Sequence, residues 1–165
     1  MKIRKWLLLA VASMQMTGAM ADNVREKILI DEGWKFAFGN AADPAKDFGC
    51  GTEYFNYLTK ANSIHNAGPY AQKFNDSTWV SVTIPHDWVT NLSYARNASH
   101  SHGYKTVGYK FPETSVGWYR KTISIPKEDL GKHIAIQFDG IFRNAQVWVN
   151  GFYMGTEPSG YATQV

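Results

Sequence analysis

Three acidic side chains could supply acid–base chemistry: Asp87, Glu113 and Asp139. Hydrolysis of a glycosidic bond uses two carboxyl groups held about 5–10 Å apart across a sugar. Asp87 lies in the loop motif "PHDW", where an acid beside a histidine and a tryptophan is chemically plausible, whereas Asp139 stands before a glycine and is typical of a turn. Nothing in the spacing pairs two of these residues. The sequence therefore predicts no complete catalytic pair.

Three histidines are the second group of side chains that could take part in chemistry. His100 and His102 stand at positions i and i+2 of the motif "SHSHGYK", and together with His86 they could imitate a zinc site. A zinc site needs three or four ligands with defined geometry, which this spacing does not supply. The sequence also lacks a G-x-S-x-G nucleophile elbow and a glycine-rich phosphate loop. We expect no metal and no cofactor.

The first 21 residues have the pattern of a secretory signal peptide. The segment "MKIRKWLLLAVASMQMTGAMA" joins a basic start to an apolar run and a small-x-small cleavage site at residues 19–21. A membrane anchor is the alternative, but it needs about 20 unbroken apolar residues, and Ser13 and Gln15 interrupt the run. The pattern predicts export to the periplasm or the medium, with a mature domain over residues 22–165.

Charge and cysteine content narrow the function classes. The formal charge of +3 comes from 17 basic and 14 acidic residues; without the three basic residues of residues 1–21, the remainder holds 14 of each. A neutral mature chain argues against nucleic-acid binding. Cys50 is the only cysteine, so no internal disulfide can form and stability must come from an apolar core.

Short alternating runs separated by long connections indicate an all-β sandwich. Strand-like runs occur at residues 27–30, 34–38, 79–84, 118–125, 133–138 and 145–149. Two long loops are expected, one at residues 39–73 with a helical turn near 54–60 and one at residues 86–116. A turn or a single helical turn is expected at 126–131. Asn150-Gly151 predicts a two-residue type I′ hairpin, because both turn positions need positive φ.

The sequence also predicts how the sandwich ends and which aromatic residues form its core. A sandwich would continue with another paired strand after "SGYATQV", so we expect the sandwich to be incomplete at the C-terminus and the chain to be marginally stable by itself. The predicted core holds the aromatic residues of the strand-like runs, namely Trp79, Trp118, Tyr119, Phe138 and Trp148.

Four segments together resemble a known family. "GWKFAFG", "FNDSTWVSVTIPHDW", "SVGWYRKTISIP" and "IQFDGIFRNAQVWVNGFYMG" are similar, in this order, to the N-terminal sugar-binding domain of glycoside hydrolase family 2. "HGYKTVGYKFPETSVGWYRK" and "DPAKDFGCGTEYF" resemble the exported β-galactosidases of gut-type bacteria. The resemblance extends over about residues 27–165.

The resemblance implies a jelly-roll β-sandwich with no catalysis of its own. In the family an immunoglobulin-like domain and a TIM barrel with two catalytic glutamates follow this domain, and these 165 residues contain neither. The implied partners are a β-galactoside-like carbohydrate and the remaining domains of the same enzyme, with no membrane span. The alternatives are a free-standing carbohydrate-binding module and a purely structural domain.

The resemblance also implies which loops approach the sugar. The matching places are the "PHDW" loop and the "SGY" segment, so His86, Asp87, Tyr104 and Tyr161 are the candidate substrate-binding residues. Each has a structural alternative; Asp87 could cap a turn and Tyr161 could be a packing residue. The stretch "VTNLSYARN" departs from the more acidic, proline-containing stretch that is frequent in the family, so the resemblance does not fix the contacts of this loop. Separately, Cys50 stands where an aromatic residue is frequent.

Overall fold

The computed structural model describes residues 25–50 and 68–165. The predicted signal peptide and the predicted helical turn near residues 54–60 lie outside the described residues. Within the described ranges the regular structure is five β-strands and four 3₁₀ turns, so the all-β prediction is confirmed. In this part of the chain, no helix has the length and apolar character that a membrane span requires.

A three-stranded antiparallel sheet forms the centre of the fold. Strand β1 (Trp34–Phe38) lies between β2 (Val80–Val82) and β3 (Gly117–Arg120). The register places Phe36 opposite Val80 on one side and opposite Tyr119 on the other. Phe36 is buried because the β-branched and aromatic residues of both neighbours flank it.

The sheet has two aromatic faces, because successive strand residues point to opposite sides. One, here called the Tyr119 face, gathers the rings of Phe36, Phe38, His86, Trp88 and Tyr119, with the Phe36 and Tyr119 centroids 5.0 Å apart. The other, the Trp118 face, gathers Phe48, Phe74, Trp79 and Trp118 with the guanidinium of Arg120.

Buried polar groups on the Trp118 face are well satisfied. Asp47, only 1% exposed, accepts hydrogen bonds from Trp118 Nε1 at 2.7 Å and from the backbone N of Asn40 at 3.2 Å. Arg120 donates to Asp76 Oδ2 at 3.0 Å and also to two backbone carbonyls. These bonds connect the loop before residue 50 and the residues after 68 to the sheet.

A β-hairpin follows the sheet. Strands β4 (Ala145–Val149) and β5 (Phe152–Glu157) pair in antiparallel fashion. Asn150 and Gly151 have φ values of 53° and 88°, so the predicted two-residue hairpin is confirmed. The Trp148 ring lies 5.7 Å from the ring of Trp118, which joins the hairpin to the Trp118 face.

Several predicted strands are wrong. Residues 27–30, 121–125 and 133–137 have no ladder partner in the described ranges, although Phe138 forms a single bridge with Gln164. Their apolar side chains stay accessible, with Leu29 82% and Ile134 54% exposed. An alternating run becomes a strand only where a neighbour offers its backbone groups, and alternation alone does not supply that neighbour.

The remaining local predictions give a mixed result. The turn expected at 126–131 is confirmed as a 3₁₀ turn at Lys127–Asp129. Among the predicted core residues Trp79 is buried, whereas Trp118, Tyr119, Phe138 and Trp148 are half-buried.

Candidate functional site

The loop of residues 86–116 leaves β2 and returns to β3, and it carries three of the four predicted contact residues. His86 and Asp87 stand at its start, and Tyr104 stands in its middle. Three 3₁₀ turns, Trp88–Asn91, His100–His102 and Pro112–Thr114, give the loop its shape. The loop is therefore ordered by its own hydrogen bonds, although it contains no named strand.

The His86 ring is held against the Tyr119 face. Its Nδ1 lies 2.7 Å from the hydroxyl oxygen of Tyr119, and its ring meets Phe36 edge-on at 4.9 Å. Burial, and secondarily the nearby carboxylate of Asp87, raise the pKa of Tyr119 to about 12. The phenol therefore stays protonated at neutral pH and holds the imidazole through Nδ1, and among the described residues Nε2 has no hydrogen-bond partner.

Asp87 has the capping role that the sequence left open. It precedes the first 3₁₀ turn, and its Oδ1 accepts a hydrogen bond from the backbone N of Val89 at 2.9 Å. Thr90 Oγ1 donates to the Asp87 carbonyl at 2.8 Å, which closes the same turn. One carboxylate oxygen is thus used inside the loop, while the residue itself remains exposed.

Trp88 organises the loop, a role that the sequence analysis missed. Its ring stacks on Phe36 with centroids 5.7 Å apart, and its Nε1 donates to the Thr114 carbonyl at 3.0 Å. A Cβ at Gly117 would lie 2.7 Å from Trp88 Cζ3, so the indole packs against a position where only glycine fits. The neighbouring Trp-Tyr pattern of β3 gave no indication of this contact.

Tyr104 lies beside a single antiparallel bridge within the loop. Tyr94 bridges to Lys105, and the backbone N of Ala95 donates to the Tyr104 carbonyl at 2.9 Å. A shallow cavity of about 430 Å³ is lined here by Tyr94, Ala95, Arg96 and Tyr104. Tyr94 was not among the predicted contact residues, although an aromatic between polar residues of a loop was a signal for it.

Lys105 connects this cavity to the start of the loop. Its Nζ donates to the carbonyls of Thr90 at 2.9 Å and Leu92 at 2.7 Å, and lies 4.2 Å from the centroid of the Tyr94 ring. Both acceptors belong to or follow the turn that Asp87 caps. The structure therefore brings His86, Asp87 and Tyr104 into one connected loop.

Tyr161 occupies a different segment, after β5. It is 88% exposed, and its ring lies 6.1 Å from the ring of Phe142. Gly160 packs closely against Phe142 as well, since a Cβ there would lie 2.7 Å from the Phe142 Cα. Tyr161 is thus mostly accessible to solvent, and its contact with Phe142 does not join it to the loop that carries the other three residues.

The remaining chemical groups do not assemble. Glu113 is exposed in the third 3₁₀ turn of the loop, and Asp139 accepts from Gln137 Nε2 at 2.8 Å. The His100 ring packs against Tyr104 at 5.6 Å. In the described ranges, no three His, Cys, Asp or Glu residues group in a way that could hold a metal ion.

Sequence comparisons relate the chain to glycosidases. No protein-family model matches it. It is 39% identical over 89 residues, 53% of its length, to a β-galactosidase of Bacteroides ovatus. It is 31% identical over 88 residues, also 53% of its length, to a β-glucuronidase of Formosa agariphila. The aligned regions are 10% and 9% of those proteins, so the chain spans about a tenth of the curated relatives it matches.

Solved structures show the same relation in three dimensions. A β-glycosidase of Bacteroides vulgatus superposes on 85% of this chain with a TM-score of 0.60 and 28% identity, and the match is 14% of that protein. A glycosyl hydrolase family 2 member of Bacteroides cellulosilyticus superposes on 82% of this chain with a TM-score of 0.57 and 28% identity, again over 14% of its own length.

Proposed function

We propose that the chain, a domain of glycoside hydrolase family 2, is the non-catalytic, sugar-binding domain of a longer enzyme. That enzyme would hydrolyse O-glycosyl bonds. The observation that carries this proposal is the unequal coverage: the match takes in 85% of this chain but only 14% of the related glycosidase. A domain of this size would contribute loops to a site whose catalytic groups come from elsewhere in the enzyme.

The loop of residues 86–116 supports a contact role within that enzyme. It presents the half-buried His86 and the exposed Tyr104 on a framework fixed by Trp88 and Lys105. A rigid loop on a β-scaffold is a common way to place binding residues. We keep His86 and Tyr104 as sugar contacts, while Asp87 serves first as the cap of its turn and Tyr161 is an exposed residue of another segment.

The finer parts of the proposal rest on resemblance and on the leader pattern. We propose a jelly-roll domain over residues 22–165, a β-galactoside-like substrate, and further domains of the same enzyme as partners. The similarity to a β-galactosidase supports the substrate class. The basic, apolar and small-residue pattern of residues 1–21 supports export to the periplasm or the medium.

A purely structural domain is the second candidate, and the Asp87 cap favours it. A carboxylate that accepts from its own turn contributes stability without touching a ligand. In that case the loop would support a neighbouring domain, and its polar residues would affect folding rather than hydrolysis.

The experiment compares this 165-residue chain with the product of its complete gene. Both are assayed with p-nitrophenyl β-galactoside, β-glucuronide and β-mannoside. We expect hydrolysis of at least one substrate by the complete product and a rate indistinguishable from buffer for the chain. Hydrolysis by the chain alone would contradict the proposal, as would an inactive complete product. Galactan binding by the chain with an inactive complete product would favour a carbohydrate-binding module instead.

A further inference from the structure

Residues 88–112 form a basic segment without a single acidic residue. The segment contains Arg96, His100, His102, Lys105 and Lys110. Asp87 and Glu113 flank it, and Asp87 is engaged as the cap of its turn. Residues 22–165 hold equal numbers of basic and acidic residues, but the loop that borders the candidate site has a local excess of positive charge. Such a surface attracts anionic ligands at low ionic strength.

The basic groups of this segment are not equivalent. Lys105 donates to two carbonyls, and Lys110 Nζ donates to the Asn97 carbonyl at 3.1 Å. Among the described residues Arg96 forms no ion pair and no hydrogen bond through its side chain, and it is exposed at the cavity. Its planar guanidinium can donate two parallel hydrogen bonds to a carboxylate or a sulfate.

Two tyrosines stand beside Arg96 on the same cavity. Tyr94 is 73% exposed and Tyr104 is 47% exposed, and the cavity between them measures about 430 Å³. The bridge of Tyr94 to Lys105 and the position of Lys105 Nζ near the Tyr94 ring keep this surface in place. The C–H face of a sugar ring packs on such an exposed aromatic surface.

We propose that Tyr94, Arg96 and Tyr104 form a subsite for an anionic saccharide unit, a uronate or a sulfated sugar. The tyrosine rings take the apolar face of the sugar, and Arg96 pairs with its carboxylate or sulfate. The inference rests on the proposed contact role of this loop and goes further by naming the charge of the sugar. A neutral sugar could use the tyrosines but would leave Arg96 without a partner.

Affinity gel electrophoresis of the 165-residue chain tests the subsite. The gels contain polygalacturonate, dextran sulfate or neutral galactan, and the first two distinguish a carboxylate from a sulfate ligand. We expect retardation by at least one anionic polymer and a weaker effect in 300 mM than in 50 mM salt. Tyr94→Ala and Arg96→Ala should each weaken binding at least tenfold.

Two matched controls separate the subsite from general charge and aromatic effects. Tyr109→Ala removes a tyrosine that is 88% exposed in the same loop, and Lys127→Ala removes one positive charge from another loop. Both should bind within twofold of the parent chain. Circular dichroism of every variant checks that the fold is retained.

The inference is overturned if the parent chain binds neither anionic polymer, or if Lys127→Ala weakens binding as much as Arg96→Ala. Equal retardation by neutral galactan would also overturn it, yet that result would leave the proposed contact with carbohydrate standing. The hydrolysis assay of the complete gene product fails or succeeds independently of these gels.

Discussion

Both faces of the central sheet carry aromatic clusters, but they differ in how many hydrogen-bond partners surround their polar side chains. On the Trp118 face Asp47 and Arg120 are enclosed by partners from three segments of the chain. On the Tyr119 face the His86 ring bonds to the Tyr119 hydroxyl, its one side-chain hydrogen bond among the described residues, and the loop that begins there has many exposed residues. Long-range hydrogen bonds thus hold the fold together on the Trp118 face, whereas the Tyr119 face carries the loop for which we propose a contact role.

The largest effect is expected on the Trp118 face, from Arg120→Ala. The change leaves the Asp76 carboxylate and the carbonyl of Ala71 without their donor and removes the cation beside the Phe74 ring. We expect a loss of about 3 kcal/mol in the free energy of unfolding. Urea titration followed by tryptophan fluorescence measures it.

Arg143→Ala is the matched control, because Arg143 is exposed, lies over the Phe142 ring, and forms no side-chain hydrogen bond or ion pair in the described part. It should change stability by less than about 0.5 kcal/mol. If Arg120→Ala costs no more than this control, the network on the Trp118 face is not what secures the fold.

Gly39→Ala tests the close packing around Asp47. A Cβ at residue 39 would lie 2.8 Å from Trp118 Nε1 and would also collide with the Asp47 carboxylate. We expect a loss of about 2 kcal/mol, since overpacking forces these groups apart. Thermal unfolding followed by circular dichroism measures the change.

Gly49→Ala supplies the control for backbone conformation alone. A Cβ there meets no atom within 4 Å, although Gly49 has a φ of 78°. Its cost should be about 1 kcal/mol from the left-handed conformation. A Gly39 variant as stable as the parent chain would show that Trp118 and Asp47 can move without cost.

Alkaline pH should weaken the fold first through Cys50 and later through Tyr119. Burial, with a smaller contribution from Asp47, raises the pKa of Cys50 from 9.0 to about 12. Above pH 9 the unfolded chain releases this proton and the folded chain keeps it, so stability falls with rising pH by at most about 1.4 kcal/mol per unit. Tyr119 adds its own loss above pH 10, since burial raises its pKa to about 12.

Cys50→Ala separates the two contributions. Unfolding free energies of the parent chain and the variant, measured between pH 8 and 11, should diverge in slope from pH 9 upward. Parallel curves would mean that the Cys50 thiol ionises as readily in the folded chain as in the unfolded one.

The smallest effect on stability is expected at Asp87, which stands at the start of the loop beside the Tyr119 face. Asp87→Ala removes the acceptor of the Val89 N–H and should cost about 1 kcal/mol, whereas Asp87→Asn keeps a capping oxygen and should cost a few tenths. Melting temperatures of the two variants decide the question. Equal losses for Ala and Asn would show that the carboxylate charge, rather than the cap, stabilises the turn.

Local chemistry made part of this structure predictable. Asn150-Gly151 specified its hairpin because the two residues accept positive φ, and the apolar run at 34–38 specified β1. The fold class followed from short strands and from the family resemblance. Residues 121–125 and 133–137 were overpredicted as strands, since pairing depends on neighbours that an alternating pattern does not reveal.

Long-range contacts account for most of what the sequence could not predict. Trp118 and Asp47 are 71 positions apart, and no local pattern links an indole to a particular carboxylate. Likewise Lys105 looks like an ordinary surface lysine, yet its two carbonyl acceptors give the loop its shape. The resemblance nominated His86, Asp87 and Tyr104, and their contact with sugar stays a prediction, whereas the contacts of Tyr94 and Trp88 emerged only once the loop was folded.

We propose that the Tyr119 face and its loop contact carbohydrate, and that the Trp118 face stabilises the fold. The most direct test of this proposal is kcat/KM of the complete gene product carrying His86→Ala, measured well below the unfolding temperature on the best p-nitrophenyl glycoside. We predict a fall of at least tenfold in kcat/KM with less than about 1.5 kcal/mol lost in stability, the usual worth of one hydrogen bond. An unchanged kcat/KM would contradict the claim and leave the loop a structural support.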